Sequence, residues 1–266
     1  MSEVSKNQAY AQSVIKEQFD QTGAALDYDQ TVTWLIETVR DLPRDGTLVV
    51  SLVGGAASGK STLTQSLADG LAATGMRADT IATDDFNKGD RAWRKENYDD
   101  KVSLGASPEE VDPLKLKDFD LLNQKIDEIK ALSGVETVAV PTYNPLTGLA
   151  IDEGEAQYKH HISQLDVLLV EGDFHAVARP DLLIFIHMAD ELRLQNRLDR
   201  DVVSRGGEIT KTTESFHFRQ RYQHTPLTLP VIEEADVILD VSTDRLGWWY
   251  NIYTRRSSHV ERSRHD

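Results

Sequence analysis

The chain has 266 residues, 39% hydrophobic and 27% charged, a balance that buries a sizeable core and fills one large α/β domain. Its net charge of −15 repels nucleic-acid phosphates and anionic membrane surfaces, so neither is expected as a partner, and an anionic nucleotide needs a local positive site set against the global field. Without cysteine there is no disulfide and no thiolate metal or redox chemistry; with polar residues at Met1–Lys6 and no run approaching about 18 apolar residues, neither a leader nor a membrane span is expected, and the expected location is the cytoplasm.

Ala11, Val14, Ile15 and Phe19 form a helical stripe within residues 7–20. Val32, Leu35, Ile36, Val39 and Leu42 form a stronger one within residues 29–42. Asp41-Leu42-Pro43-Arg44-Asp45-Gly46 ends the second helix, so residues 1–45 read as a helical N-terminal extension. Leu48–Val53 is a buried strand that runs into Gly54-Gly55, and Leu63, Leu67 and Leu71 pack a helix from about Lys60 to Ala73. Ala78–Thr83 is a short strand ending at Asp84-Asp85. Residues 87–112 are polar and irregular, with Gly89, Gly105 and Pro108, and read as a loop or a substrate-facing insertion. Phe119, Leu122, Ile126 and Ile129 mark a helix, and Val135–Val140 a strand.

Val167–Val170 is a buried strand ending at Glu171-Gly172, and Leu182–Ile186 is another. Glu191–Ser204 reads as an arginine-rich helix and Val237–Leu239 as the last strand. Strands alternating with helices predict an α/β fold with a doubly wound parallel sheet. The main domain is expected over residues 46–242, with a lid at about 190–210, and residues 243–266 as a C-terminal tail that frays at its arginine-rich end.

Gly54-Gly55-Ala56-Ala57-Ser58-Gly59-Lys60-Ser61 matches the phosphate-binding pattern G-x-x-x-x-G-K-S/T without a gap, between a buried strand and an amphipathic helix. Small residues let several backbone N–H groups point at phosphate, and the helix sets its positive end at the same spot. The segment from Gly54 through Thr62 is therefore assigned to ATP, with Lys60 reaching the β- and γ-phosphates and the Ser61 hydroxyl on Mg²⁺.

In such a sheet the C-terminal strand ends open onto one edge, which places Asp84, Asp85 and Glu171 near the loop. Phosphoryl transfer to an alcohol gains from a carboxylate that accepts the hydroxyl proton; Asp84 takes that role, with Asp85 as its reserve at the acceptor. Glu171 joins Ser61 on Mg²⁺, and Asp173 is placed to share that task. Arg193, Arg197 and Arg200 are spaced to share a helix face, with Arg205 at its exit. Arg197 and Arg200 are assigned to the transferring phosphoryl group, and Arg193 and Arg205 to bound substrate.

In this order the motifs resemble the uridine kinase–phosphoribulokinase–pantothenate kinase family over roughly residues 48–240. Asp84-Asp85-Phe86 looks like the family's aspartate-x-phenylalanine site, Pro141-Thr142-Tyr143-Asn144 like its Pro-x-Tyr-Asp segment, and Val170-Glu171-Gly172-Asp173-Phe174 like its Glu-Gly-x-Phe segment. Arg200-Asp201-Val202-Val203-Ser204-Arg205-Gly206 is similar to its lid pattern, and Ala235-Asp236-Val237-Ile238 to its last strand. The resemblance implies a P-loop kinase using ATP and Mg²⁺, with Asp84 as base, Tyr143 lining the acceptor pocket, and uridine or another nucleoside as the leading acceptor.

The chain departs from the pattern at Asn144, where the family carries aspartate, and at Gly207, where a further basic residue is common. No His or Arg follows Tyr143 within the next several residues. Arg91, Arg94 and Lys95, beside Trp93, suit an acceptor that is itself anionic, so pantothenate-like acids, sugars and sugar phosphates stand next to nucleosides. A regulatory ATPase acting on a protein partner is the alternative from another class, and self-association is left open. Asn87-Lys88-Gly89-Asp90 imitates the guanine-reading motif of GTPases but follows the second strand, the wrong place in the order. His160-His161 is read as surface or capping, and Trp248-Trp249-Tyr250 as packing.

Overall fold

Every residue of β2 (Leu48–Gly54) is buried, and its side chains alternate between two cores. Leu48, Val50 and Leu52 enter one cluster with α2 (Tyr28–Asp41) and α3 (Lys60–Ala73), while Val49 and Val53 enter clusters on the opposite face. A strand apolar on both faces belongs inside a sheet covered on both sides. The computed structural model, which describes residues 3–103, 112–143, 160–174 and 177–256, has that arrangement.

The main sheet runs in the order β1 (Phe19–Gln21), β9 (Gly247–Arg255), β8 (Val237–Asp244), β7 (Leu182–Met188), β2, β6 (Val167–Gly172), β3 (Ala78–Ala82). From β8 to β3 the pairing is parallel; β9 and β1 extend one side antiparallel. One face carries α2 and α3, through Leu35, Val39, Leu63, Leu67 and Leu71. The other carries α1 (Glu3–Gln18), through Ala11, Val14 and Ile15, and α6 (Phe119–Lys130), through Leu122, Ile126 and Ile129. Truncating a fully buried leucine such as Leu35 to alanine would cost about 2–5 kcal/mol. Asp27 starts α2 with a reciprocal cap: its carboxylate accepts the Gln30 N–H at 2.8 Å and its own N–H donates to the Gln30 side chain at 3.1 Å.

Register sets the working edge. Gly54 pairs with Ile186, Val53 with Gly172, and Ala82 with Glu171, so β2, β7, β6 and β3 all end together. The phosphate-loop motif leaves β2, Asp84 follows β3, and Glu171 and Asp173 lie at the end of β6, the strand between them.

Four elements differ from the sequence reading. Val237–Leu239 is not the last strand: β8 turns at Gly247 into β9, so Trp248, Trp249 and Tyr250 sit within the sheet. The N-terminal extension is not purely helical either, since β1 joins the sheet on β9. Residues 87–112 are not irregular where described: α4 (Arg91–Arg94), a π-spaced turn over Lys95–Asp99 and α5 (Asp100–Ser103) run on from one another, with Asp90 accepting the Trp93 N–H at 2.7 Å. Polar composition hid this helix because, among its described side chains, Tyr98 alone is buried. Finally, the strand near residue 138 leaves the main sheet: β4 (Val138–Val140) pairs antiparallel with β5 (His160–Ile162) in a separate ribbon. Asn144 and residues 257–266 lie outside the described residues. Among the described residues, no helix is long and apolar enough to cross a membrane.

Candidate active site

The loop between β2 and α3 is held open from outside. Gly59, at φ +88°, forms the N-cap of α3, and Ala57 takes a left-handed φ of +65°. A left-handed alanine costs about 1–3 kcal/mol unless its surroundings enforce it. They do: the Asn196 amide donates to the Ala57 carbonyl at 3.1 Å, and the Arg193 guanidinium lies 3.4 Å from the Ala56 carbonyl. Both residues belong to α7 (Asp190–Leu198), which starts at the end of β7. Gly55 has no room for a side chain, since a Cβ there would fall 2.1 Å from Arg193 Nη1 and 2.9 Å from His224 Cε1.

Inside the loop, Lys60 is buried, and its ammonium donates to the Gly55 carbonyl at 3.1 Å and to Asp173 at 2.7 Å. Asp173 therefore serves the lysine directly. Burial would raise its carboxyl, but Lys60 and Lys117 outweigh that and hold it well below the ordinary range. The Ser61 hydroxyl donates to Glu171 at 2.8 Å. Burial pushes Glu171 above its ordinary value, against Lys60 and Ser61.

Asp84 is the second residue of a 3₁₀ turn, Thr83–Phe86, directly after β3. Its carboxylate accepts from the Lys117 ammonium, which also donates to Thr83 Oγ1 at 3.2 Å. Lys117 is 8% exposed and Asp84 63%, so the cation is the buried partner while the carboxylate faces the cleft. Lys117 holds Asp84 below the ordinary carboxylate range, against partial desolvation and Asp173. No motif announces Lys117. It arrives through a backbone bridge with Asn87, flanked by Lys88 N–H to Leu116 O and Asp118 N–H to Phe86 O, both 2.8 Å.

The lid arginines gather on one acid. Asp201 accepts from Arg197 Nε at 3.3 Å, Arg200 Nε at 2.8 Å and Arg205 Nη1 at 3.2 Å. Three guanidiniums on one carboxylate leave a local positive excess. Burial and the neighbouring Arg219 lower Arg197 to about 10, a sign of crowded cations. Arg219, at the end of α8 (Ile209–Arg219), is a further cleft residue that sequence reasoning missed.

Two cavities meet here. One, about 670 Å³, runs over the phosphate loop to Glu171 and the lid. The other, about 1020 Å³, continues past Asp84 to Arg94, Lys95, Tyr98 and Tyr143. Asp84, Arg197, Arg200, Arg205 and Arg219 line both.

The structure thus brings together Ala56–Thr62, Asp84, Glu171, Arg197, Arg200 and Arg205, and sets Tyr143 in the adjoining cavity. Two expected contacts are corrected. Arg193 does not face substrate: it is 1% exposed beneath the loop, bound to Asp190 at 2.6 Å and to Gln220. It sits one helical turn before Arg197, packed against the loop at Gly55 and Ala56. Asp85 is not a second base: its carboxylate accepts the Ala82 N–H at 3.1 Å and the Tyr143 N–H at 2.7 Å, so it tethers the acceptor-side chain. Arg91 has a described backbone only.

The donor set fits a Mg·nucleotide. Ser58 Oγ and Arg197 Nη1 are buried without a hydrogen-bond partner among the described residues, and both border the first cavity. Among the described residues there is no cluster of three metal-binding side chains. Mg²⁺ carried by phosphate asks for only one or two protein ligands, and Ser61 with Glu171 would supply them.

Residues 49–246 match the model of the phosphoribulokinase / uridine kinase family. A uridine kinase from Listeria monocytogenes serotype 4a is 26% identical over 195 residues, spanning 72% of this chain and 86% of its own. D-glycerate 3-kinase from Cryptococcus neoformans var. grubii superposes with a TM-score of 0.56 at 16% identity, over 83% of this chain and 96% of its own. Phosphoribulokinase from Rhodobacter spheroides superposes at 0.53 with 18% identity, over 74% and 70%. At such identities the two solved structures speak to the fold alone.

Proposed function

The chain belongs to the phosphoribulokinase / uridine kinase family, and from that premise we propose that it moves the γ-phosphate of ATP onto a hydroxyl of a small molecule, with uridine or another nucleoside as the leading acceptor. One observation carries this reading: Asp84 stands at the junction of the loop cavity and a second cavity large enough for an acceptor.

The nucleotide lies along Gly54–Thr62, with the loop amides, Ser58 and Lys60 on its phosphates. Ser61 and Glu171 would hold Mg²⁺, which would supply charge neutralisation for the phosphates. Asp84 accepts the acceptor's hydroxyl proton as that oxygen bonds to the γ-phosphorus and the bridging bond to ADP breaks. Arg197 and Arg200 stabilise the charge on the transferring group. Tyr143 and Arg205 shape the acceptor side, and Asp85 holds Tyr143 there.

A second reading of the acceptor rests on a separate observation. Arg94, Lys95 and Arg219 join the three lid arginines around the second cavity, against Asp84, Asp99, Asp100 and Asp201. That excess favours an acceptor bearing a carboxylate or phosphate. ADP release from Mg·ATP, measured over nucleosides, pantothenate-like acids, sugars and sugar phosphates, decides between the two. One acceptor that raises turnover, with the rise lost in Asp84→Asn, supports the kinase and identifies its class. Slow acceptor-independent hydrolysis that Asp84→Asn leaves unchanged would instead favour a regulatory ATPase.

A further inference from the structure

The N-terminal helix lies outside the residues matched by the family model, yet it touches Asp190, the counter-ion of the arginine beneath the phosphate loop. Asn7, in α1, is 6% exposed, and its amide donates to Asp190 Oδ2 at 3.3 Å and to Thr225 Oγ1 at 3.0 Å. The same Asp190 oxygen accepts from Gln220 at 2.8 Å, and the other oxygen holds Arg193 at 2.6 Å. Arg193 in turn fills the space beside Gly55 and meets the Ala56 carbonyl. An unbroken polar chain therefore leads from Asn7 through Asp190 and Arg193 to the loop.

Hydrogen bonds that satisfy the counter-ion of a buried guanidinium help to hold the pair in one geometry. Among the described residues Asp190 is ion-paired with Arg193, and the amides of Gln220 and Asn7 serve its other oxygen. Apolar contacts of Ala11, Val14 and Ile15 with the sheet fix the helix that delivers Asn7. Taking the nucleotide reading above as its basis, we propose that Asn7 is a positioning residue for the phosphate loop, so that α1 sets nucleotide affinity without touching nucleotide.

The test is Mg·ADP binding to the full chain by calorimetry, which requires no acceptor. Asn7→Ala should weaken ADP binding roughly 3- to 10-fold. Asn7→Asp, which keeps the shape but sets an acceptor against Asp190, should weaken it at least as much. Asn7→Gln, which retains the amide, should recover part of the loss. Tyr10→Phe removes an α1 contact to Glu233 one helical turn further on, outside the Asn7–Asp190–Arg193 chain, and should lower thermal stability without moving ADP affinity. Wild-type ADP affinity in both Asn7→Ala and Asn7→Asp overturns the inference. So does a loss in Tyr10→Phe equal to that in Asn7→Ala, which would mean general loosening. A wild-type chain that fails to bind Mg·ADP overturns the nucleotide reading itself, and this inference with it.

Discussion

Lys117 and Asp84 are an unequal pair: the lysine is buried under the cleft floor and the aspartate stands open above it. A base held this way stays ionised and aimed, at some expense in proton affinity. Because Lys117 depresses Asp84, the acid limb of the rate profile should lie below the ordinary carboxylate value, with turnover falling as pH drops through that depressed pKa. Lys117→Met should lower kcat and move the acid limb to higher pH. Asp84→Asn should cost about 10²- to 10⁴-fold in kcat above that limb, with the difference from wild type shrinking below it. A Lys117→Met profile with an unmoved acid limb would remove the lysine from this role.

Glu171 and Ser61 are joined at the mouth of the loop, with Glu171 raised by burial. A nearby dication reverses that burial effect, so Mg²⁺ binding should release a proton on the acid side of neutrality. Glu171→Gln should raise the Mg²⁺ concentration for half-maximal rate about 10- to 100-fold and abolish the pH dependence of that requirement. Titrating Mg²⁺ at two pH values checks both.

The nucleotide half of the site was legible because contiguous residues carry it. Gly54 to Ser61 are adjacent, their strand and helix are strongly patterned, and Asp84 and Glu171 fall at strand ends. The acceptor half was not, because long-range contacts assemble it. Lys117 reaches Asp84 over 33 positions through a backbone bridge, and Arg219 comes from the end of a helix with little pattern. Arginine spacing placed Arg193, Arg197 and Arg200 on one helix face, but Arg193 lies beneath the loop, while Arg197 in α7 and Arg200 in the π-spaced turn that follows it line the cleft. Sequence periodicity reports a direction around the helix and is silent about what each position along it meets.

His160 in β5 lies 2.9 Å from Asp79 in β3, tying the separate ribbon to the edge of the main sheet. The bond to Asp79 raises His160 above its ordinary 6.5, helped by the charges of Asp79 and Asp85 and opposed by burial. A raised histidine contributes its stability fully below the unfolded pKa and loses it as pH climbs through the raised folded value. Half-exposed partners limit the effect to less than about 1 kcal/mol. Hydrogen exchange at Val138–Val140 and His160–Ile162, corrected for intrinsic rates, should accelerate as pH rises through neutrality. Asp79→Asn should flatten that dependence.

Asp201 gathers Arg197, Arg200 and Arg205, and its removal tests what the cluster is for. If the arginines act on the transferring phosphoryl group, their geometry matters more than their charge. Arg200→Ala should then cost about 10²-fold in kcat while ADP affinity moves less than about 3-fold, because the interaction is made in the transition state. Arg200→Lys should recover little, since a point charge cannot reproduce the planar fork. Asp201→Asn keeps all three cations but releases their alignment, so kcat should fall while ADP binding becomes steeper in salt. Single-turnover rates beside ADP calorimetry separate these outcomes. A large loss of ADP affinity in Arg200→Ala with kcat intact would make the residue a ground-state clamp on the nucleotide and would move the charge-stabilising role to Arg197 alone.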